Sequence, residues 1–151
     1  MTADSRLVGA IELPDGSWVR GRGLRRPMPV GPDPTLGIYL GVEYEPPWEF
    51  HRIDWPDFRL PRDSRRAADL LRHAHEHSLA GHRLEIACAG GRGRTGTAIA
   101  ALAILAGVEA DQAVSWTRDH YDRHAVETLW QRRWVQHFPR LLESPPATRA
   151  G

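Results

Sequence analysis

The only cysteine of this chain, Cys88, opens a glycine-rich run, Cys88-Ala-Gly-Gly-Arg-Gly-Arg94-Thr-Gly-Thr, six positions before an arginine. Those residue types at that spacing place a nucleophile and an anion site in one loop. A thiol attacks as its thiolate, and a loop that feeds a helix N-terminus favours negative charge through unpaired backbone N–H groups and the helix dipole. The amides of Ala89, Gly90, Gly91, Arg92, Gly93 and Arg94 can hold the equatorial oxygens of a phosphoryl group, while the Arg94 guanidinium offers them a planar fork. Sulfur attacking phosphorus is the chemistry these residues suit. A nucleotide P-loop is excluded, because it needs a lysine and all 20 basic residues here are arginine.

Expulsion of an alkoxide or phenoxide from a phosphate ester requires an acid on the leaving oxygen. Trp55-Pro56-Asp57, followed by Phe58, supplies one upstream of Cys88, with Asp54 and Asp63 as the alternatives. Together the two segments resemble the signature loop and the WPD loop of the cysteine-based protein phosphatases. The extended pattern C-x-x-G-x-G-R-T-G is met by Cys88, Gly91, Gly93, Arg94, Thr95 and Gly96. A rhodanese-type loop is similar but one residue shorter. The low-molecular-weight phosphatases carry their cysteine near the N-terminus, the reverse of the order here.

The resemblance is to the compact, bacterial-type tyrosine and dual-specificity members, and it implies a two-step mechanism. Cys88 accepts the phosphoryl group, with Arg94 and the loop amides stabilising its charge. Asp57 acts first as acid and then as base toward water, and Thr95 donates a hydrogen bond to the departing sulfur. No cofactor and no metal is implied. The segment Val126-Glu127-Thr128-Leu-Trp-Gln131 is similar to the V-Q-T-x-x-Q segment that positions water in classical tyrosine phosphatases. Gln131 matches its second glutamine, and Glu127 stands where the first would be. An ordinary amphipathic helix accounts for the same residues.

The implied activity is hydrolysis of phosphotyrosine, and of phosphoserine or phosphothreonine, in a protein or peptide partner. A phosphatase for phosphoinositides or other small phosphorylated molecules and a non-catalytic phosphate-binding module are the alternatives. Arg92, inside the loop, either adds charge for a second phosphate or pairs with a carboxylate.

The elements that must position these groups are read from periodicity and punctuation. Leu7–Leu13 and Trp18–Gly23 read as strands around the turn Pro14-Asp15-Gly16-Ser17. Leu36–Val42 and Phe50–Trp55 read as two more, parted by Pro46-Pro47. Asp63 N-caps a helix over Ser64–Leu79 whose apolar face is Ala67, Leu70, Leu71, Ala74 and Ser78. Arg83–Ala87 is a strand that delivers Cys88 to the loop, and Thr95–Ala106 is a small-residue helix expected at the centre of the fold. Asp111 is expected to N-cap a helix to Tyr121, and Val126–Phe138 forms the last one, interrupted or kinked by Pro139. The predicted class is α/β, a partly parallel central sheet flanked by helices, with the reactive loop at the C-terminal end of a strand. Residues 1–151 are expected to form one phosphatase domain, with 1–6 and 143–151 as flexible tails.

Composition bounds the rest. A formal net charge of +1 gives no general attraction to nucleic acid or to an anionic membrane. A single cysteine cannot form an internal disulfide, and neither a secretory leader nor a long apolar stretch is evident, so a cytoplasmic location is expected. His73, His75, His77 and His82 read as a solvated helix edge, since no nearby cysteine or obvious carboxylate partner completes a metal shell, although Glu76 is adjacent. Trp116, Trp130 and Trp134 fall at helical spacing as core anchors. Trp55 reads as a loop anchor, Trp48 as a residue near the site, and Tyr39 and Tyr44 as strand residues, with Tyr44 able to reach a pocket rim. Arg123 either braces the reactive loop or faces solvent, and solvent is the expectation.

One departure from the family pattern has a measurable consequence. The histidine that usually precedes the nucleophile is replaced by Ala87, which removes a partner of the thiol and its loop. Cys88 alkylation and turnover are therefore expected to rise at higher pH than in histidine-bearing relatives. A rate-versus-pH titration of alkylation checks this, and a strongly acidic midpoint would refute it.

Overall fold

Strand residues alternate between two unlike environments, and that alternation sets the architecture. In a computed structural model, which describes residues 6–143, five strands form one sheet. They are β1 (Ile11–Glu12), β2 (Trp18–Gly23), β3 (Leu36–Leu40), β4 (Phe50–Ile53) and β5 (Leu84–Cys88), in the order β1-β2-β5-β3-β4. β1 is antiparallel to β2, and every other pair is parallel. Val19, Leu36, Ile38, Leu40, Leu84, Ile86 and Cys88 face one side and belong to a single hydrophobic core. Four helices cover that side: α1 (Ser64–Leu79), α2 (Gly93–Leu105), α3 (Ala113–His120) and α4 (Leu129–Glu143). α2 packs on β5 and β2 and touches α1, α3 and α4, the central place its alanines and glycines predict.

The opposite face is polar and buried. Glu85 on β5 is fully buried among Arg20 and Arg22 of β2 and Tyr39 of β3. Its Oε2 accepts from Arg20 Nε at 2.9 Å and Arg22 Nε at 3.0 Å, and its Oε1 from Arg22 Nη2 at 3.1 Å and the Tyr39 hydroxyl at 2.9 Å. Trp48 Nε1 donates to that hydroxyl at 2.8 Å, and Tyr44 stands edge-on to Tyr39, so the segment between β3 and β4 folds over the cluster. Trp48 and Tyr44 thus serve this face rather than the reactive loop.

Several boundaries move, each for a local reason. Only Ile11–Glu12 of the predicted first strand pairs with β2, because Gly9 (φ +83°) and the Ala10 N–H to Leu7 carbonyl bond make a turn before it. β3 stops at Gly41, at φ +64°. Asp111 does not cap α3; it sits in a one-turn 3₁₀ helix, Ala110–Gln112. α4 begins at Leu129 because Val126 is left-handed (φ +64°). It then runs through Pro139 to Glu143, where Leu141 and Leu142 pack on the core and Arg72 Nη2 donates to the Leu142 carbonyl at 3.1 Å. Packing and that tether outweigh the lost backbone bond.

Trp134 is buried, whereas Trp130 is exposed with Arg133 over its ring. His75 leaves the solvated edge: it is buried, with Nε2 2.6 Å from Asp15 Oδ2. Burial alone would raise the Asp15 carboxyl, but Ser17 and then His75 hold it below its usual value. Arg6 is not loose; its guanidinium lies 4.0 Å above Trp18. Glu143 closes α4, and the remainder of both expected tails lies outside the described residues.

Burial raises the Glu85 carboxyl, and bonds and charge from Arg22 and Arg20 more than offset this and hold it below its ordinary range. A lowered folded value means that its stabilisation is complete above about pH 4.3 and is lost as pH falls through the folded value. Glu85→Ala strands two buried guanidiniums and is expected to cost about 3–5 kcal/mol in urea unfolding. Glu85→Gln should lose this part of the acid-dependent decline in stability.

Candidate active site

Cys88 is the last residue of β5 and α2 opens at Gly93, so four residues make the connecting loop. The β2 pairing continues past the strand ends: Leu24 N–H donates to the Cys88 carbonyl at 2.9 Å and Arg25 N–H to the Ala89 carbonyl at 3.1 Å. The Tyr121 hydroxyl donates to the Gly91 carbonyl. Loop carbonyls are thus engaged from outside, which leaves the amide edge to the cysteine, and Gly91 N–H donates to Cys88 Sγ at 3.1 Å. Gly91 needs its φ of +77° to do this, and a side chain there would strike the backbone at Arg22 and Gly23.

Arg94 lies on the first turn of α2 and is buried. Its Nη1 is 3.2 Å from the carbonyls of Leu40 and Trp55, which aligns the fork between the end of β3 and the acid-bearing segment. Its Nε is buried without a hydrogen bond, 3.5 Å from Asp57 Oδ1. An unpartnered buried guanidinium N–H is costly unless a ligand satisfies it. The Thr95 hydroxyl is also buried and unpartnered, so in this conformation the sulfur's hydrogen-bond donor is Gly91 rather than Thr95.

Asp57 is half exposed and its Oδ1 accepts from the Phe58 amide at 3.0 Å, with Phe58 held at φ +60°. Trp55, fully buried against Trp134, anchors this segment by donating from Nε1 to the Arg59 carbonyl at 2.7 Å. A cavity of about 340 Å³ contains Cys88, Gly90, Arg92, Gly93 and Arg94 together with Asp57, Phe58, Glu127, Arg25 and Arg26. Asp54 and Asp63 are elsewhere: the first pairs with Arg62 and the second caps α1 through the Arg66 amide. Arg92 takes the paired option, with Nε 3.6 Å from Asp122.

Glu127 lines the cavity, and its carboxylate occupies the space that a Gly93 side chain would need. Gln131 has a different task from the expected one. It is fully buried, its Oε1 accepts from the amides of Glu127 and Thr128, and its own amide donates to Thr128 Oγ1 at 3.1 Å. That is a capping box for α4. Its Nε2 donates to the Arg59 carbonyl at 3.3 Å, tying the helix to the acid-bearing segment.

Two supporting residues escape sequence reading. Tyr121 braces the loop from a distant helix end; burial, and then Cys88 and Asp122, push its phenol well above the ordinary range, so it remains a donor. Arg118 holds the strained turn before α4 through the carbonyls of Ala125 and Val126 at 2.9 and 2.8 Å. Arg123 is exposed, as expected. The T-x-x-Q spacing signals only the Gln131 cap.

A thiol ending a parallel strand, a guanidinium on the next helix and a carboxyl opposite thus line one cavity. The sequence matches the model of the protein-tyrosine phosphatase family over residues 42–135, more than half of its length, and the protein belongs to that family. The fold is similar to that of Tk-PTP in its active form, at TM-score 0.66 and 23% identity, covering 87% of this chain and 97% of that one. It is also similar to kinase-associated phosphatase with its catalytic cysteine replaced by serine (TM-score 0.64, 15% identity, 85% and 88% covered). PTPMT1 in complex with PI(5)P gives TM-score 0.60 at 17% identity, with 72% and 78% covered. No curated protein sequence matches the chain significantly. No helix among the described residues is long and apolar enough to cross a membrane.

If Gln131 acts as cap and tether, Gln131→Ala is expected to cost about 1–2 kcal/mol in stability. Its turnover should fall through a looser Asp57 segment, read as a lower kcat with little change in KM. Unchanged stability would contradict the capping role.

Proposed function

We propose that this protein hydrolyses phosphotyrosine in protein or peptide substrates through a phosphocysteine intermediate. The observation that carries the reading is the convergence of Cys88, the unsatisfied Nε of Arg94 and the carboxyl of Asp57 on one cavity. Cys88 Sγ attacks phosphorus in line as the bond to the leaving oxygen breaks, and Asp57 delivers its proton to that oxygen. Arg94 and the loop amides hold the three equatorial oxygens as charge builds on them. Water then attacks the phosphocysteine, giving its proton to Asp57 and returning the thiolate. Glu127, which lines the cavity, orders that water in this reading.

The exposed Phe58 ring beside Asp57 supplies apolar contact suited to an aryl phosphate, which favours phosphotyrosine over phosphoserine and phosphothreonine. A phosphoinositide or other small phosphorylated substrate is the second reading, favoured by Arg25 and Arg26 at the same cavity. Asp57 and Glu127 offset that positive charge, and Arg92 is already paired with Asp122.

Turnover of p-nitrophenyl phosphate in the presence of a chelator is expected. Cys88→Ser should abolish it while retaining phosphate binding, and Asp57→Asn should lower kcat by about 10²–10⁴-fold. Normal turnover by Cys88→Ser would sink the mechanism. Faster hydrolysis of phosphoinositides than of phosphotyrosine peptides would select the second reading.

A further inference from the structure

The seam between edge strand β4 and helix α1 joins three side chains that the proposed reaction does not use. His51 stands two residues before the core residue Ile53 on β4, hence on the face that α1 covers. The ring of His73, on α1, meets the His51 ring edge-on, with centroids 6.0 Å apart and planes at 82°. Glu49, just ahead of β4, brings Oε2 to 4.0 Å from His51 Nε2. One donor atom from each of the three lies within 4.8 Å of the other two.

The surroundings leave this trio available. Nearby carboxylates on the same stretch are claimed by arginines, Glu45 by Arg52 and Asp54 by Arg62, whereas the ion-pair partner of Glu49 among the described residues is His51. Glu49 and His73 are exposed and His51 is half-buried, so solvent reaches the donors and two of them are free to turn. His77, one turn further along α1, is already engaged by Thr35 Oγ1 at 2.9 Å and stacked on His82.

We propose that Glu49, His51 and His73 form a binding site for a divalent transition metal, with Zn²⁺ the best-matched ion. Two imidazole nitrogens and one carboxylate oxygen suit a borderline cation, whereas Ca²⁺ and Mg²⁺ take oxygen ligands. Metal–ligand lengths of about 2.0–2.1 Å place tetrahedral donors about 3.4 Å apart. Small rotations of exposed side chains close the remaining gap, and water fills the open position. The site is independent of the phosphatase chemistry. β4 ends at Ile53 and α1 is capped by Asp63, so the segment bearing Asp57 is strung between the two elements that the metal would bridge. A bound ion clamps the roots of that segment.

The test is calorimetric titration of Zn²⁺ into the full chain carrying Cys88→Ser, which keeps the thiolate from taking the metal. Thermal unfolding is followed with and without Zn²⁺. One ion per chain at micromolar Kd and a rise in Tm are expected. His51→Ala and His73→Ala should each weaken binding by about tenfold or more and remove the rise in Tm; His82→Ala should do neither. Unchanged Tm values without Zn²⁺ show that the variants are folded. Binding no tighter than about 100 μM, or equal affinity in the His51 and His73 variants, overturns the site.

Discussion

Glu85 is the residue on which the site's geometry depends. It lies three positions before Cys88 on β5, fully buried, and two strands reach it: β2 through Arg20 and Arg22, and β3 through Tyr39. Those are also the strands whose ends build the reactive loop's surroundings. β2 continues into Leu24 and Arg25, whose amides take the carbonyls of Cys88 and Ala89, and β3 ends at the Leu40 carbonyl that receives Arg94. A buried carboxylate is tolerable only when its lone pairs are filled. Filling them fixes the register of three strands at once.

The same face gives the Ala87 departure a physical setting. Ala87 lies between Arg22 of β2 and Tyr39 of β3 in the sheet register. Those two side chains converge on Glu85 two residues earlier, and Arg22 also reaches the Tyr44 hydroxyl at 3.3 Å. The polar side chains flanking position 87 are therefore organised around Glu85.

Strain is concentrated next to the Cys88 cavity. Phe58 and Val126 hold positive φ, which costs a side-chain-bearing residue free energy, most of all a β-branched one. Each follows or precedes a cavity residue, Asp57 and Glu127, and each is pinned from outside. Arg118 holds the carbonyls around Val126, while Trp55 and Gln131 hold Arg59 just beyond Phe58. The Arg59 carbonyl is thus the point where α4 and the acid-bearing segment meet.

Local sequence determined what depends on neighbours in the chain. α1 runs over Ser64–Leu79 as Asp63 and the apolar spacing predict, and Cys88, Arg94 and Asp57 line one cavity. Glycine punctuation, capping and helical period act within a few residues, so they are legible in one dimension. Tertiary structure decided whatever required two distant segments to meet. His75 is buried because Asp15 comes to it from the β1–β2 turn, and Pro139 stays inside a helix because the core holds the residues beyond it. Tyr121 supports the loop, and His73 finds Glu49 and His51 across a strand edge. Spacing along α1 supplies only His73 of this set; Glu49 and His51 come from β4 and the residue just ahead of it, and only packing brings them there.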